Sequence, residues 1–350
     1  MDEALGKAGA DRYLTRDRVI GKGSGPFFVQ LLSQPLYTGR MGDKPALRPG
    51  EPVAAALGAI AHDILSEARS ALDDAERADA VAVHDYRKAM KRWRAFLRLI
   101  ERFLGVDGHR LRLEARDLAR HLAHARDGQA MLDSLADIER HESGLSPTSL
   151  NSMRTRIEAI RQAAETTTLT PELRERLRAG LDSAARAVNF WQLETVGFAD
   201  LAGELARHYR RARGAMPGDW ARADATALHE LRQRVVEHRY QMELVEPLWP
   251  RLGKLWVAEA QRLRERLGWH RDLILLARAT APHQPLAPWR SRLTPAIEAR
   301  KEAHVAAARR LAARLFAEKP KAFRRRIEAL WDAAPAHLPA RERTRPYRAH

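Results

Sequence analysis

From residue 51 onward, apolar residues recur at alternating spacings of three and four positions, which predicts amphipathic α-helices. One helix is predicted to begin at Asp79 or a neighbouring turn residue and to run to about Leu104, before Gly105. Clusters of turn-forming residues at 104–107, 143–149, 216–219 and 282–288 separate such segments. The first helix carries one apolar stripe, predicted to face a bundle core: Val83, Tyr86, Met90, Trp93, Leu97, Ile100 and Leu104.

The chain contains an internal repeat. RADAVAVHDYR at 77–87 is matched by RADATALHELR at 222–232, which lies 145 positions later. At the same offset Arg94 corresponds to Arg239, and Arg126–Asp127 corresponds to Arg271–Asp272. A register kept over so long a stretch indicates two homologous halves, residues 51–195 and 196–335. Each half is predicted to hold about four helices in one bundle, which makes the fold all-α.

Two segments fall outside the repeat. Residues 1–50 form a Gly/Pro-rich N-terminal extension, and residues 336–350 form a basic tail; both are candidate recruitment segments or disordered ends. The run GKGSGP at 21–26 invites comparison with a phosphate-binding loop. A Walker loop ends in Gly-Lys-Ser/Thr and follows a strand, and Lys22 does not fit that order.

A second stripe on the first helix is basic and lies about a quarter turn from the apolar stripe. Acidic residues are nearly absent between Asp85 and Glu101, so the cations lack the acid–base pairs that usually relieve repulsion on a helix. A polyanion lying along this face would turn the repulsion into attraction, whereas the alternative is an ordinary basic surface. The stripe comprises His84, Arg87, Lys91, Arg94 and Arg98, flanked by Lys88, Arg92 and Arg102.

The corresponding helix of the second half is less basic. Its apolar stripe is Leu228, Leu231, Val235 and Met242, and its polar stripe is His229, Arg232, Val236, Arg239 and Glu243. Compared with the first helix, two cations are replaced, one by Val236 and one by the acid Glu243. We therefore predict the same architecture with a second face that binds an anion more weakly or is partly plugged. His238 is interpreted either as a further donor or as a residue packed near the core.

Further basic residues precede each Arg–Asp pair. Arg112, Arg116 and Arg120 recur every four residues, and Arg262 and Arg266 form a thinner row in the second half. Arg126 and Arg271 are candidate ligands, with a role inside the bundle as the equal alternative. Asp127 and Asp272 are interpreted as structural, because a carboxylate would repel phosphate. The pair His121 and His124 is weak as a metal site without a third ligand.

The whole-chain charge agrees with an anionic partner. Net charge is +16 and the sequence pI is about 10.7, and such a field attracts polyanions. The absence of cysteine excludes disulfides and thiol catalysis. Neither a secretory signal nor an apolar run of about 18 residues is present, so we expect a soluble, cytoplasmic protein with no membrane partner.

The two marked helices resemble the conserved histidine α-helical domain family, CHAD. VHDYRKAMKRWRAFLRLI at 83–100 matches its pattern His-x-x-Arg followed by clustered basic residues; LHELRQRVVEHRYQMELV at 228–245 matches it but departs at Val236 and Glu237. HARDGQAML, WHRDLILLA and LFAEKPKAFRRRIEALW also look like the family, and the resemblance extends over 51–335.

This resemblance implies two four-helix bundles, related by a pseudo-two-fold axis, around a positively charged central pore. It also implies polyphosphate binding and localisation to polyphosphate granules, with other granule proteins as further candidate partners. Some members carry a triphosphatase barrel with a Glu-x-Glu-x-Lys strand, and no such motif occurs here. The chain is therefore interpreted as a stand-alone binding domain that is not an enzyme and needs no cofactor or metal.

Polyphosphate suits this set of residues because it carries closely spaced charges and no bases. Arginine binds phosphate oxygens through two N–H groups and stays charged at physiological pH. Cations beside His84 and His229 should lower the histidine pKa until phosphate binds, so we expect tighter binding at acidic pH and weaker binding in salt. The predicted ligands are His84, Arg87, Lys88, Lys91, Arg92, Arg94, Arg98, Arg116, Arg120, Arg126, His229, Arg232, Arg239 and Arg271.

Three other functions compete with this one, and one of them is a pure scaffold for other proteins. A nucleic-acid-binding helical protein is less favoured, because aromatic residues make up only 6% of the chain and Tyr86 and Trp93 lie on the apolar stripe. An enzyme of polyphosphate metabolism would need a carboxylate-bound metal or an activated nucleophile, and the marked helices have no cluster of acids beside their histidines.

Overall fold

The computed structural model describes residues 45–334, with the exception of residues 75, 121–126, 142–143 and 165–168. The side chains of residues 119, 120 and 164 are also excluded. Within these ranges the fold is all-α: eleven α-helices and two short 3-10 helices, with no strand. The extension up to residue 44, the glycine run at 21–26 and the basic tail from 336 lie outside the described residues. No described helix is long and apolar enough to cross a bilayer.

Six helices belong to the first half of the chain. They are α1 (Val53–Asp73), α2 (Asp79–Leu104), α3 (Val106–Arg120), α4 (Asp127–Glu139), α5 (Pro147–Ala164) and α6 (Pro171–Val188). The predicted bounds of the first marked helix are confirmed by α2. It ends because Gly105 adopts a φ of 58°, a left-handed conformation that glycine reaches without the penalty that a Cβ imposes.

Five helices belong to the second half. They are α7 (Phe198–Gly214), α8 (Ala225–Val245), α9 (Pro250–Ala279), α10 (Arg290–Leu315) and α11 (Pro320–Ala333), with 3-10 turns at Glu246–Leu248 and Ala287–Trp289. The Asp224 carboxylate accepts a hydrogen bond from the Ala227 amide at 2.7 Å and caps α8. Each half therefore contains more helices than the four expected, and the grouping into two four-helix bundles stays a prediction.

The repeat is visible in the helix bounds. Phe198, the first residue of α7, lies 145 positions after Val53, the first residue of α1. The single helix α9 spans the positions equivalent to α3 and to the first part of α4, while residues 121–126, between α3 and α4, lie outside the described residues. Asp127 is the first residue of α4, where a negative charge is favoured by the helix dipole.

The main core is built on the apolar stripes of α2 and α8. Tyr86, Met90, Trp93, Leu97 and Ile100 are buried, while Val83 and Leu104 pack at the edge of the core. The predicted stripe of α8 is buried throughout: Leu228, Leu231, Val235 and Met242. The apolar period of the sequence thus identified the core-facing side of both helices.

His238 is a core residue, which was one of its two interpretations. Its side chain is 1% exposed and accepts a hydrogen bond from the Trp256 indole N–H at 2.8 Å. Burial lowers the pKa of His238 to about 3, with smaller contributions from His208 and Arg326. A neutral histidine therefore fills the position that is 145 residues after Trp93.

A second, smaller core joins the two halves. Met131, Leu135, Met153 and Ile157, from α4 and α5, pack in one cluster with apolar residues of the second half. Those residues come from α9 and α10 and the turn between them: Leu273, Leu276, Leu286, Leu293 and Ile297. Apolar packing therefore holds α4 and α5 of the first half against α9 and α10 of the second half, at a place separate from the α2–α8 contact.

Candidate polyanion site

The two marked helices, α2 and α8, pack against each other in opposite directions. The side-chain amide of Gln241 donates to the Ala95 carbonyl at 3.4 Å, and Arg98 pairs with Glu237 at 3.1 Å. As the residue number rises along α2, the number of the partner on α8 falls.

These contacts follow the sequence repeat. Glu237 lies 145 positions after Arg92, and Glu243 lies 145 positions after Arg98. Arg98 pairs with Glu237, and the charge of Glu243 acts on Arg92. The two interactions exchange places under the repeat offset, as expected when two helices are related by a local two-fold axis.

A cluster of guanidinium groups lies where α2 meets α3 and α8. The pKa of Arg94 is lowered by burial and then by repulsion from Arg98, with further repulsion from Arg116 and Arg112; Glu237 opposes the shift. Arg98 behaves alike, since burial and the charges of Arg112 and Arg234 lower its pKa despite Glu237. We call Arg94, Arg98, Arg112 and Arg116 the arginine cluster. Its cations lie close enough to repel one another in the absence of an anion.

The second half brings three predicted ligands together. Arg232 of α8 lies against Gly268 of α9, where an added Cβ would stand 3.6 Å from the Arg232 Nε. The pKa of His229 is lowered by burial first and then by the charges of Arg232 and Arg271. His229 also hydrogen-bonds Gln233 at 2.8 Å. The charges of Arg232 and Arg271 therefore act on His229, and the role of the three residues as ligands stays a prediction.

In addition to Arg98, two less exposed predicted ligands make ion pairs within the protein. Arg92 is 17% exposed and contacts Glu67 at 2.7 Å and Asp63 at 3.4 Å, both on α1. Burial disfavours its charge, but these acids and Glu243 raise its pKa overall. Because its N–H groups are directed to α1, Arg92 serves packing between the two helices.

Arg239 is the second such residue. Its guanidinium pairs with Glu243 at 2.5 Å, is 14% exposed, and lies 4.1 Å from the centre of the Tyr240 ring. The acid that distinguishes the second stripe therefore neutralises the arginine one helical turn before it. The sequence predicted a weaker second face, and this ion pair is a physical reason for it.

The remaining predicted ligands are divided between described and undescribed positions. His84 and Lys88 are exposed on α2, and Arg87 and Lys91 are half-buried on the same helix. The Arg120 side chain lies outside the described residues. So do Arg126, His121 and His124. Within the described part of the chain, no group of three or more His, Asp or Glu side chains is arranged to hold a metal ion.

Glu237 and Arg234 lie near the cluster and, like its member Arg112, were not among the predicted ligands. Glu237 pairs with Arg98 and, at 3.5 Å, with Arg234 of its own helix. Glu237 was visible in the sequence only as a departure from the basic pattern of the family. Nothing in the sequence pattern marked Arg234, because its closeness to Arg98 depends on how the two helices cross.

Two surface clefts lie away from these stripes. One, about 520 Å³, lies at the end of α2 and is lined by Arg102, Arg207, Arg210 and Arg324 among others. The other, about 530 Å³, lies between α9 and α10 near the end of α4. Neither cleft is lined by the predicted ligands of α2 and α8, so the basic central pore implied by the family stays a prediction.

The sequence belongs to the CHAD domain family. A sequence model of the CHAD domain matches residues 55–281, which is more than half of the chain. The match includes both marked helices and ends before α10, so it is shorter than the predicted extent of 51–335. A comparison with curated proteins gave no match.

Two solved structures share the fold. The CHAD domain from the plant Ricinus communis has a TM-score of 0.50 and 19% identity, covering 84% of this chain and 96% of that chain. PptA from Streptomyces chartreusis has a TM-score of 0.54 and 18% identity, covering 77% of this chain and 100% of that chain. At this identity the likeness concerns the fold.

Proposed function

We propose that the chain binds inorganic polyphosphate along the basic side of α2, in a pore to which α8 and α9 contribute His229, Arg232 and Arg271. The observation that carries the proposal is the arginine cluster, in which burial and the charges of neighbouring arginines lower the pKa of Arg94 and Arg98. A bound anion relieves this repulsion and replaces water lost on burial. Membership of the CHAD family supports the same ligand.

The length of the basic side favours a linear ligand. His84 and Arg98 are separated by fourteen residues on one continuous helix, which corresponds to about 21 Å at 1.5 Å per residue. A single compact phosphate contacts only a few of these side chains. A chain of phosphates contacts successive cations and releases a counterion at each, so its affinity falls steeply with salt.

The proposed activity is binding without chemical change. Histidines of the two stripes add hydrogen bonds and, when protonated, charge; no step of bond formation is assigned to them. We extend the proposal to a cytoplasmic protein that associates with polyphosphate granules and there meets other granule proteins.

Competition tests the choice of ligand. Labelled polyphosphate is bound to the full chain and displaced with unlabelled polyphosphate or with single- or double-stranded DNA at equal phosphate concentration. We expect polyphosphate to displace the label at a concentration at least about tenfold lower than either DNA. Equal or better displacement by DNA would replace the proposal with a nucleic-acid-binding function.

A second measurement tests the absence of catalysis. Polyphosphate of one defined length is incubated with the protein and with Mg²⁺, Mn²⁺ or ADP, and its length is followed by electrophoresis. We expect no shortening and no ATP beyond a sample without protein. Shortening that depends on the protein contradicts the binding-only proposal.

A further inference from the structure

A second basic cleft lies near the smaller core. It holds about 530 Å³ and is formed by the end of α4, the middle of α9 and the end of α10. Five arginines line it against two carboxylates, those of Asp137 and Glu265. The arginines are Arg140, Arg262, Arg266, Arg310 and Arg314.

This cleft and the Arg232 contact lie on different sides of α9. Arg262, Arg266 and Trp269 line the cleft at spacings of four and three residues, so they share one helix face. Gly268, which lies against Arg232, follows Arg266 by two residues and is therefore rotated about 200° around the helix. An anion in the cleft contacts a set of side chains separate from the predicted polyphosphate ligands.

The floor of the cleft is a buried polar network. Asp137 is 4% exposed and His304 is 1% exposed, and they are joined at 3.0 Å through His304 Nε2. Arg300 donates to both Asp137 oxygens at 2.9 and 3.2 Å. Burial opposes the charge of Asp137, but hydrogen bonds from His304 and Arg300 lower its pKa well below the usual range.

The network also orients one guanidinium of the cleft. Arg266 lies 3.4 Å from His304 Nδ1, the ring nitrogen that faces away from Asp137. If Nε2–H donates to Asp137, Nδ1 is the acceptor for Arg266. A guanidinium held in this way loses less side-chain entropy when an anion binds.

Internal acids balance only part of the positive charge. Asp137 is engaged by Arg300 behind the cleft and also lies 3.7 Å from Arg140 in its lining, and Glu259 pairs with Arg262 at 2.9 Å and with Arg314 at 3.6 Å. Arg310 is exposed at the rim, one position after the equally exposed Arg309, which does not line the cleft. Arginine is the residue type that binds phosphate oxygens through two parallel hydrogen bonds.

We infer that this cleft is a second anion site that takes a short oligophosphate group, either free or attached to a nucleoside. Its size and its guanidinium groups suit a compact ligand of several negative charges, in contrast to the extended side of α2. The inference rests on the cleft alone and does not depend on polyphosphate binding at α2.

Calorimetric titration of the full chain with inorganic tripolyphosphate, and separately with ATP, tests this site. The cleft variant is Arg310→Glu/Arg314→Glu, and the control with the same charge change on the same helix is Arg292→Glu/Arg309→Glu. All four positions are exposed, so both proteins should fold. We expect the cleft variant to bind tripolyphosphate about tenfold more weakly than the control, the loss given by one charge-assisted hydrogen bond. ATP binding as tight as that of tripolyphosphate identifies an attached triphosphate as a ligand, and tighter tripolyphosphate binding identifies the free anion.

A third variant separates this site from the proposed function. Arg87→Glu/Arg94→Glu should keep tripolyphosphate binding at the cleft to within about threefold of the control, whether or not long polyphosphate binds at α2. The inference is overturned if wild type does not bind either probe, if the cleft and control variants lose affinity equally, or if the α2 variant abolishes tripolyphosphate binding.

Discussion

The helices α2 and α8 share one repeated sequence pattern, but their arginines have different charged neighbours. On α2, Arg94 and Arg98 lie among other cations, and the pKa of each is lowered. On α8, Arg239 is paired with Glu243. Glu237 of α8 is also directed at Arg98 of α2. The second helix therefore supplies acids that partly balance both halves, while the first holds an excess of positive charge.

The comparison shows how one repeat can support two roles. The apolar stripe is kept on both helices because each must bury it, whereas charges on the other side can be exchanged without loss of the fold. An excess of cations destabilises the empty protein and favours an anion. The acids of α8 limit that cost, which agrees with the proposal that α2 makes most of the ligand contacts.

The cores of the halves differ as well, and the largest expected effect concerns this difference. Trp93 is buried and stacks with Phe96 and Trp191, at centroid distances of 5.9 and 6.2 Å. Trp93→Ala should lower the free energy of unfolding by about 3–5 kcal/mol, because the cavity cannot close fully. Urea denaturation measures the change. Val81→Ala, at an exposed position of the same helix, should change it by less than about 0.5 kcal/mol. A similar loss in both variants would contradict the core assignment.

The second half should determine stability in mild acid. Burial lowers the pKa of His208 to about 4, of His238 to about 3 and of His270 to about 4. These side chains stay neutral in the folded chain but take up protons in the unfolded chain below about pH 6.5. Stability is therefore complete above pH 6.5 and falls as the pH drops toward 4, by up to about 1.4 kcal/mol per pH unit for each histidine.

Urea denaturation between pH 7 and pH 5 checks this dependence, in a window above the titration of most carboxylates. His238→Gln keeps an acceptor for the Trp256 N–H but removes one titrating group, so its stability should depend less on pH. A wild-type stability that is constant over this window would show that the buried histidines are not neutral in the folded chain.

Removing the acid between the helices should affect folding and binding in opposite directions. Glu237→Gln leaves Arg98 and Arg234 with less compensation, so the protein should lose about 1 kcal/mol of stability and bind polyphosphate about fivefold more tightly. Denaturation and polyphosphate titration measure the two changes. Glu230→Gln removes an exposed acid that lies 3.5 Å from Arg234, and it should alter both quantities less. A loss of affinity in Glu237→Gln would mean that the acid organises the site.

The smallest expected effect is the pH dependence of binding at α8. The pKa of His229 is lowered by burial, Arg232 and Arg271, and bound phosphate should raise it. Between those two pKa values binding takes up a proton, so affinity rises as the pH falls from neutral toward the lower value. His229→Gln should reduce this rise in titrations between pH 7.5 and pH 6. An equal rise in both proteins would assign it to other groups.

Much of the fold could be predicted because apolar periodicity and glycine act locally. The stripe from Tyr86 to Ile100 and the end of α2 at Gly105 follow from spacing and backbone preference. The number of helices did not follow from the length of the repeat, because each helix end depends on a few local residues. Which helices pack together in one bundle likewise depends on contacts between residues that are distant in sequence.

The residue types of the candidate site could be predicted from the sequence, but the ion pairs that these residues make could not. The sequence marked Arg92 and Arg239 as equal members of basic stripes, but their ion pairs with α1 and within α8 depend on neighbouring side chains. The cleft beside Asp137 was not predicted, because its arginines come from α9, α10 and the turn after α4, which are distant in sequence. No single helical period could reveal that convergence.

The most direct test of the account is a titration of long-chain polyphosphate into three variants with equal charge change, at low salt and neutral pH. They are Arg87→Glu/Arg94→Glu on α2, Arg232→Glu/Arg239→Glu on α8, and Arg292→Glu/Arg309→Glu on α10. We expect a loss of about a hundredfold for the α2 variant, as for two charge-assisted contacts, with a smaller loss for α8 and the least for α10. Equal losses in all three would contradict binding along α2, because net charge alone would then explain polyphosphate binding.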